Sequence, residues 1–164
     1  MIAAGMGGNL IIKILEEGCS VLEAMNTCIL QPQSELAKVR KYLCEHGYCS
    51  VAENMVKEDG KYYPMMRVHY QAEKNEDADK TIKDMENSKE QKKSRYKVEC
   101  LYGRYLLMEK NPVLHQYLVK ERQVFENILD NLFKQPESEK IAVRMEEVKE
   151  ALGYNEAALA YYRT

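Results

Sequence analysis

Two stretches decide the fold: MIAAGMGGNLIIKIL, Met1–Leu15, and TCILQPQSELAKVRKYL, Thr27–Leu43. The first opens on apolar Met1-Ile2-Ala3-Ala4 and breaks at Gly5-Met6-Gly7-Gly8. It resumes with Leu10, Ile11, Ile14 and Leu15 at helical spacing, which predicts a strand stub, a tight turn and an amphipathic helix. The second gives a short apolar strand, Thr27 to Leu30, that ends at Gln31-Pro32-Gln33. Ser34 is placed to N-cap a helix with Leu36, Val39 and Leu43 on one face, and Gly47 to stop it. The order βαβα favours a parallel α/β sheet.

Downstream, Tyr48 to Val56 and Lys61 to Tyr70 read as strands joined at Asp59-Gly60, a strong two-residue hairpin signal. Pro64 cannot donate to a ladder, so it is expected at a sheet edge or among the strand's first residues. Residues 73–97 intermix acids and bases with a weak stripe of Ala78, Ile82 and Met85, the pattern of a charged linker or exposed helix. Asn111-Pro112 opens a long helix marked by Val113, Tyr117, Val124, Ile128 and Leu132. A second helix from Ser138 spaces Ile141, Met145, Val148 and Leu152 before Gly153, its expected end. The short Gln135-Pro136-Glu137 loop makes the two antiparallel.

The 164 residues, 45% hydrophobic and 30% charged, suffice for one core with a helical appendage. The net charge of −2 offers no global attraction to nucleic acid, so RNA contact requires a local basic patch. Five cysteines without a CxxC pair fit reduced thiols in a cytoplasmic protein. The run Leu10–Leu15, interrupted by Lys13, is too short to span a membrane. His46, His69 and His115 show no ligand spacing with one another or with the cysteines, so no metal site is assigned.

IAAGMGGNLIIKIL, CILQPQSELAKVRKYLCEHGY and EDGKYYPMMRV occur in one order. Together they resemble the pattern of the TrmK family, bacterial tRNA (adenine(22)-N(1))-methyltransferases. In that pattern one strand ends in GMGG, the next in LQPN, a helix carries an arginine, and a hairpin carries a tyrosine. The corresponding residues are Gly5–Gly8, Leu30–Pro32, Arg40 and Tyr63. Gln33 replaces the family's usual asparagine and Tyr42 its usual tryptophan. YGRYLLMEKNPVLHQYLVKE is similar to the family's entry into its C-terminal helices.

The resemblance implies an α/β fold: the later strands of a partial Rossmann-like class I methyltransferase sheet, followed by a C-terminal helical coiled-coil arm. Residues 1–71 are then the C-terminal half of the methyltransferase domain, 72–97 a charged linker or exposed helix, and 98–164 the helical region. Family members carry a glycine-containing acidic loop upstream that holds much of the cofactor, so the chain reads as an N-terminally shortened form. The strand at Met1 would be left unpaired, which favours dimerisation or aggregation through that edge.

Gly5, Met6, Gly7 and Gly8 lie at a strand's C-terminal end, where open α/β sheets bind ligands; any tight strand-to-helix turn also favours glycine. Gln31, Pro32 and Gln33 end the adjacent strand. Gln31 or Gln33 can offer a donor and an acceptor to an adenine edge, or Gln33 can cap the next helix; Pro32 sets loop shape. The resemblance makes these seven a cofactor- or base-binding set, with S-adenosyl-L-methionine as cofactor and tRNA as substrate. Arg40, Lys41, Lys92, Lys93, Arg95 and Arg104 are candidate tRNA contacts or, alternatively, solvated surface charge. Methyl transfer to adenine N1 requires an exposed or flipped base and no protein nucleophile, so no catalytic residue is assigned. The rival readings are a non-catalytic RNA- or protein-interaction module and a small-molecule methyltransferase.

Overall fold

A computed structural model describes residues 1–18, 22, 25, 27–70, 90–136 and 138–163. Its elements run β1 (Ile2–Met6), α1 (Gly8–Glu17), β2 (Cys28–Pro32), α2 (Leu36–Glu45), β3 (Tyr48–Glu58), β4 (Lys61–Tyr70), α3 (Glu90–Tyr102), α4 (Arg104–Met108), α5 (Pro112–Phe133) and α6 (Glu139–Ala160). The four strands form one mixed sheet in the order β1-β2-β4-β3. β1 and β2 are parallel, with Ile2 opposite Ile29 and Ala3 opposite Leu30. β4 runs antiparallel to both neighbours. The α/β fold is thus as expected.

Alternation explains the first core. Ala3, Leu30, Met66 and Val68 point to one face of the sheet and are buried under Ile11 and Leu15 of α1 and Val39 and Leu43 of α2. The opposite face carries Ile2, Ala4 and Ile29, and no described helix covers it at β1 and β2.

The hairpin closes as expected. Asp59 and Gly60 both have positive φ, 48° and 77°, the backbone of a type I′ turn. Pro64 is the fourth residue of β4, which is an interior strand. The β2 pairing ends at Met66, however, so Pro64 faces no β2 partner. Its own partner is Met55, whose amide bonds Asn54 Oδ1 at 2.8 Å instead of the ladder. The proline therefore removes no sheet hydrogen bond.

One irregularity in the ribbon has wide effect. Ser50 pairs with Val68 and Ala52 with Arg67, so β3 advances two residues where β4 advances one, and Val51 is extra. The bulge shifts the alternation, placing Glu53 and Met55 on the face that Tyr48 occupies. Tyr48, Met66 and Val68 feed the first core. Met55 and Tyr62 feed a second core with Val98, Tyr102, Leu106, Leu107, Leu114, Leu118, Ala158 and Leu159. Glu53 lies between the two.

The second core belongs to the helices. Asn111 Oδ1 accepts from the amides of Val113 and Leu114, and Ser138 Oγ from Ile141, so both helices begin where expected, each with a side-chain cap. Antiparallel packing follows from Asn155 on α6, which donates to Leu118 O on α5 at 3.0 Å. Glu121 of α5 accepts from Tyr102 Oη at 2.8 Å, Tyr117 Oη at 2.6 Å and Asn155 Nδ2 at 3.0 Å. Gly153 does not end α6, which runs to Ala160. Burial of Asn155, Ala158 and Leu159 beyond it outweighs glycine's helix cost of about 1 kcal/mol.

Arg40 and Glu53 join the halves. Arg40 Nε meets Glu53 Oε1 at 2.8 Å, with side chains only 8% and 2% exposed. Arg40 Nη1 donates to the carbonyls of Cys100 and Leu101 at 2.9 and 3.0 Å, and Glu53 Oε2 accepts the Tyr105 amide at 3.1 Å. The Gly103 backbone, at φ +95°, closes over the pair; a Cβ there would lie 2.6 Å from Glu53 Oε2. A buried charge that loses its partner costs about 3–5 kcal/mol. Glu53→Gln should therefore destabilise by several kcal/mol. Gly103→Ala, which meets both the strained φ and the clash, should do likewise, each read from the midpoint of urea unfolding.

Tyr102 and Tyr117 are held far above the ordinary phenol range, first by burial and then by the Glu121 carboxylate. Burial likewise pushes Tyr162 up to about 12. Unfolded tyrosines ionise near pH ~10, whereas these stay protonated in the fold. Their contribution is thus complete below that pH and is lost as pH rises beyond it. Urea unfolding from pH 8 to 11.5 should show falling stability above about pH 10, with a shallower fall in the Tyr102→Phe, Tyr117→Phe double variant.

Candidate functional site

The parallel pairing of β1 and β2 puts the two predicted loops side by side at the strands' C-terminal ends. β1 extends through Gly5 and Met6, and the register shifts between Ala4 and Met6 because Gly5 takes φ +75°. Gly7 is the N-cap of α1. Across the gap, the Gln33 amide donates to Met6 O at 2.9 Å, and Gly5 N–H donates to Gln31 Oε1 at 2.7 Å. All seven residues of the set, Gly5 to Gly8 and Gln31 to Gln33, therefore gather at one edge.

The second loop also caps the first helix. The Gly8 amide donates to Ser34 Oγ at 3.3 Å and the Asn9 amide to Glu35 Oε2 at 3.1 Å. Asn9 Nδ2 donates to Glu35 Oε1 at 2.6 Å, and Lys38 Nζ donates to Asn9 Oδ1. Ser34 thus does not cap its own helix; Glu35 holds that position, with φ 55° and ψ 35° and no side-chain cap bond. A left-handed non-glycine residue costs of order 1 kcal/mol, and its carboxylate is used to hold α1. Sequence reading missed Asn9, Glu35 and Lys38 because their partners lie 26 to 29 residues away.

The loops present different chemistry. Gln31 Oε1 is committed to Gly5, so the amide presents donors. Gln33 is exposed, and its Nε2 lies 3.9 Å from where a Gly5 Cβ would be. Pro32 is buried opposite Met6. The first two N–H groups of α1 serve Ser34 and Glu35, so the helix start is not an open anion cradle.

The six cations divide. Arg40 is corrected: it is buried against Glu53 and has no access to a phosphate. Lys41 is exposed and pairs with Glu45 at 3.8 Å, and Arg95 with Glu99 at 2.9 Å. Lys93 and Arg104 are exposed on α3 and α4. Lys92 lies in α3, but its side chain falls outside the described residues. Among the described residues no cluster of three His, Cys, Asp or Glu side chains could hold a metal ion, and no helix is long and apolar enough to cross a membrane.

Residues 1–157 match the family model described as TrmK, tRNA (adenine(22)-N(1))-methyltransferase. The chain belongs to this family. The Bacillus subtilis (strain 168) tRNA (adenine(22)-N(1))-methyltransferase is 28% identical over 158 residues, 92% of this chain and 60% of its own length. A Streptococcus pneumoniae protein described as a candidate tRNA (m1A22) methyltransferase is 28% identical. It superposes with a TM-score of 0.73 over 96% of this chain and 60% of its own. That protein has also been solved with S-adenosyl-L-methionine. A Streptococcus agalactiae protein of the NADB-Rossmann superfamily, 20% identical, matches with a TM-score of 0.70 over 96% of this chain and 58% of its own, which supports the Rossmann-like fold. The chain thus spans about 60% of the length of its TrmK relatives.

The glycines of the GMGG loop differ in what they tolerate. A Cβ on Gly8 would lie 2.6 Å from Ser34 O and 2.9 Å from Val39 Cγ2. Gly8→Ala should lower stability by about 2–3 kcal/mol by forcing the loops apart. Gly5→Ala makes only an ordinary van der Waals contact with Gln33 Nε2 at 3.9 Å, so it bears only its positive φ, costing about 1–2 kcal/mol. Thermal unfolding of both variants should rank them in that order.

Proposed function

We propose that this chain forms the base-facing part of an S-adenosyl-L-methionine-dependent tRNA methyltransferase acting on adenine N1 at position 22. The observation that carries the reading is the locked pair of loops at the ends of β1 and β2, with Gln33 exposed beside Gly5. It supports a flat ligand approaching backbone closely, with one amide to orient it. The residues fit the methyl-bearing side of the cofactor: a Cβ on Gly5 would meet nothing nearer than the Gln33 side-chain amide at 3.9 Å, whereas Glu35, the nearby carboxylate, is engaged by Asn9.

When bound, the cofactor supplies an electrophilic methyl activated by its sulfonium. The work left to the chain is orientation. Adenine N1 must keep its in-plane lone pair unbonded, so the amides serve best at the exocyclic N6 and at N7. Gln33 can accept from N6–H through Oε1 or donate to N7 through Nε2. Gly5 and Gly7 let the backbone lie against the base, and the Ser34 and Glu35 bonds keep that wall rigid. No side chain has to take a proton for the N1–methyl bond to form.

In this reading residues 1–71 are the C-terminal half of the methyltransferase domain, 72–97 link it to the helices, and 98–164 form the arm, its antiparallel α5–α6 pair a short coiled coil. Lys41, Lys93, Arg95 and Arg104 are its phosphate contacts. They are favoured over α6, where Glu146, Glu147 and Glu150 surround Ala142 and Val143. The reduced thiols Cys28, Cys44, Cys49 and Cys100 suit a cytoplasmic protein.

The test is transfer of labelled methyl from S-adenosyl-L-methionine to a tRNA transcript, with this chain supplemented by the segment of the Bacillus subtilis relative it does not match. Methyl should appear on a transcript with A22 and be absent from one carrying G22. Gln33→Ala should slow transfer roughly 10–100-fold with an unchanged thermal midpoint. Cofactor binding without any tRNA methylation would refute the reading.

A further inference from the structure

We infer that the main-chain carbonyl of Gly5 accepts a hydrogen bond from the exocyclic amine of the target adenine, and that with Gln33 Nε2 it reads the base from its N6–N7 edge. The inference rests on the methyl-transfer reading and adds to it the group that separates adenine from other purines.

The ladder between β1 and β2 supplies the first observation. The Ile29 amide donates to Met1 O and the Gln33 amide to Met6 O, both at 2.9 Å. A regular parallel ladder advances equally on both strands, which would bring the Gln33 amide to Gly5 O. It passes over that carbonyl instead, because β1 uses one residue more than β2 between the two bonds. No other amide of β2 takes its place: Gln31 lies opposite Ala4, and Pro32 has no N–H. The Gly5 amide, by contrast, is engaged by Gln31 Oε1 at 2.7 Å, so Gly5 offers an acceptor and no donor.

The second observation is what stands beside that carbonyl. Gly5 and Gln33 are both exposed, and Gln33 Nε2 lies 3.9 Å from where a Gly5 Cβ would be. An acceptor and a donor are therefore neighbours at the strand ends. The N6–N7 edge of adenine presents the complementary pair, an amine hydrogen beside a ring-nitrogen acceptor. Read from that edge, the base keeps N1 and its in-plane lone pair clear for the methyl. Guanine places O6 where adenine has N6, so the carbonyl would face a second acceptor. Of the two roles open to Gln33, donation from Nε2 to N7 is then the one used, with N6 left to Gly5 O.

The carbonyl also acts on the rate. As the N1–methyl bond forms, the positive charge leaving the sulfonium spreads over N1, C6 and N6 of the purine. The N6–H group becomes a stronger donor as that charge grows. A fixed carbonyl dipole therefore holds the transition state more firmly than the ground state, and no proton has to leave the base.

The test repeats the transfer assay with a transcript carrying purine ribonucleoside at position 22, which keeps N1 but lacks the amine. Relative to A22, kcat should fall ~100-fold or more beyond the ratio of the two nucleosides' uncatalysed methylation by dimethyl sulfate, with a smaller change in KM. The same ratio should hold in Gln33→Ala, which leaves the Gly5 carbonyl in place. Gly5-Met6 is the one Gly-Met pair in the sequence, so carbonyl-labelled glycine with nitrogen-labelled methionine isolates this carbonyl by NMR. Its resonance should move with the A22 transcript and stay in place with the purine transcript. Methylation of A22 together with transfer to purine-22 at the rate its solution reactivity predicts would overturn the inference and leave the methyl-transfer reading standing. So would a Gly5 resonance that does not distinguish the two transcripts. Absence of methylation on A22 itself would remove the reading and the inference with it.

Discussion

The structure turns on one buried ion pair. Arg40 and Glu53 come from a helix and a strand of the sheet half, yet their remaining hydrogen-bonding capacity is spent on the helical half, at the carbonyls of Cys100 and Leu101 and the amide of Tyr105. Neither core reaches across this point. A buried pair is weak evidence for added stability compared with apolar packing, but it is directional. It fixes where α3 turns into α4, and Gly103 supplies the one backbone position thin enough to pass over it. If α3 and α4 carry phosphate-binding cations, the pair also sets how those cations sit relative to the cleft.

Much of this was legible in the sequence where the controlling interaction is local. Asp59-Gly60 specifies its turn by its own φ preferences, and Asn111 and Ser138 cap helices through amides two or three residues on. The strand-turn-helix at Gly5 and the neighbouring Gln31-Pro32-Gln33 fall at one edge because parallel strands with a helical crossover leave few alternatives. The misreadings share the opposite property. Ser34 looks like a cap for the helix it precedes and instead serves the Gly8 amide. Arg40 looks like surface charge on an amphipathic helix until Glu53 and two distant carbonyls are brought to it. Gly153 looks like a stop until the residues after it find a core. In each case the deciding partner is far along the chain, and no local propensity encodes it.

The site shows the same division. Residue types capable of holding a base were apparent, but their rigidity was not. Glu35 accepts a left-handed backbone so that its carboxylate can hold Asn9, while Gln31 gives up its oxygen to Gly5. Local strain and internal hydrogen bonds thus go into fixing the wall of the cleft, leaving Gln33 as the amide offered outward.

The extra residue at Val51 has a consequence of another kind. Strict alternation would send Glu53 and Met55 to the face opposite Tyr48, so their inward placement depends on the bulge absorbing one residue between Ser50 and Ala52. A strand lacking that one residue would run regularly through this point and keep Glu53 opposite Met66, whereas straightening the bulge with every residue kept would turn the carboxylate toward solvent and Asn54 toward the arm. Homologous sequences should therefore be aligned through this ribbon by strand pairing, with a one-residue gap allowed at position 51.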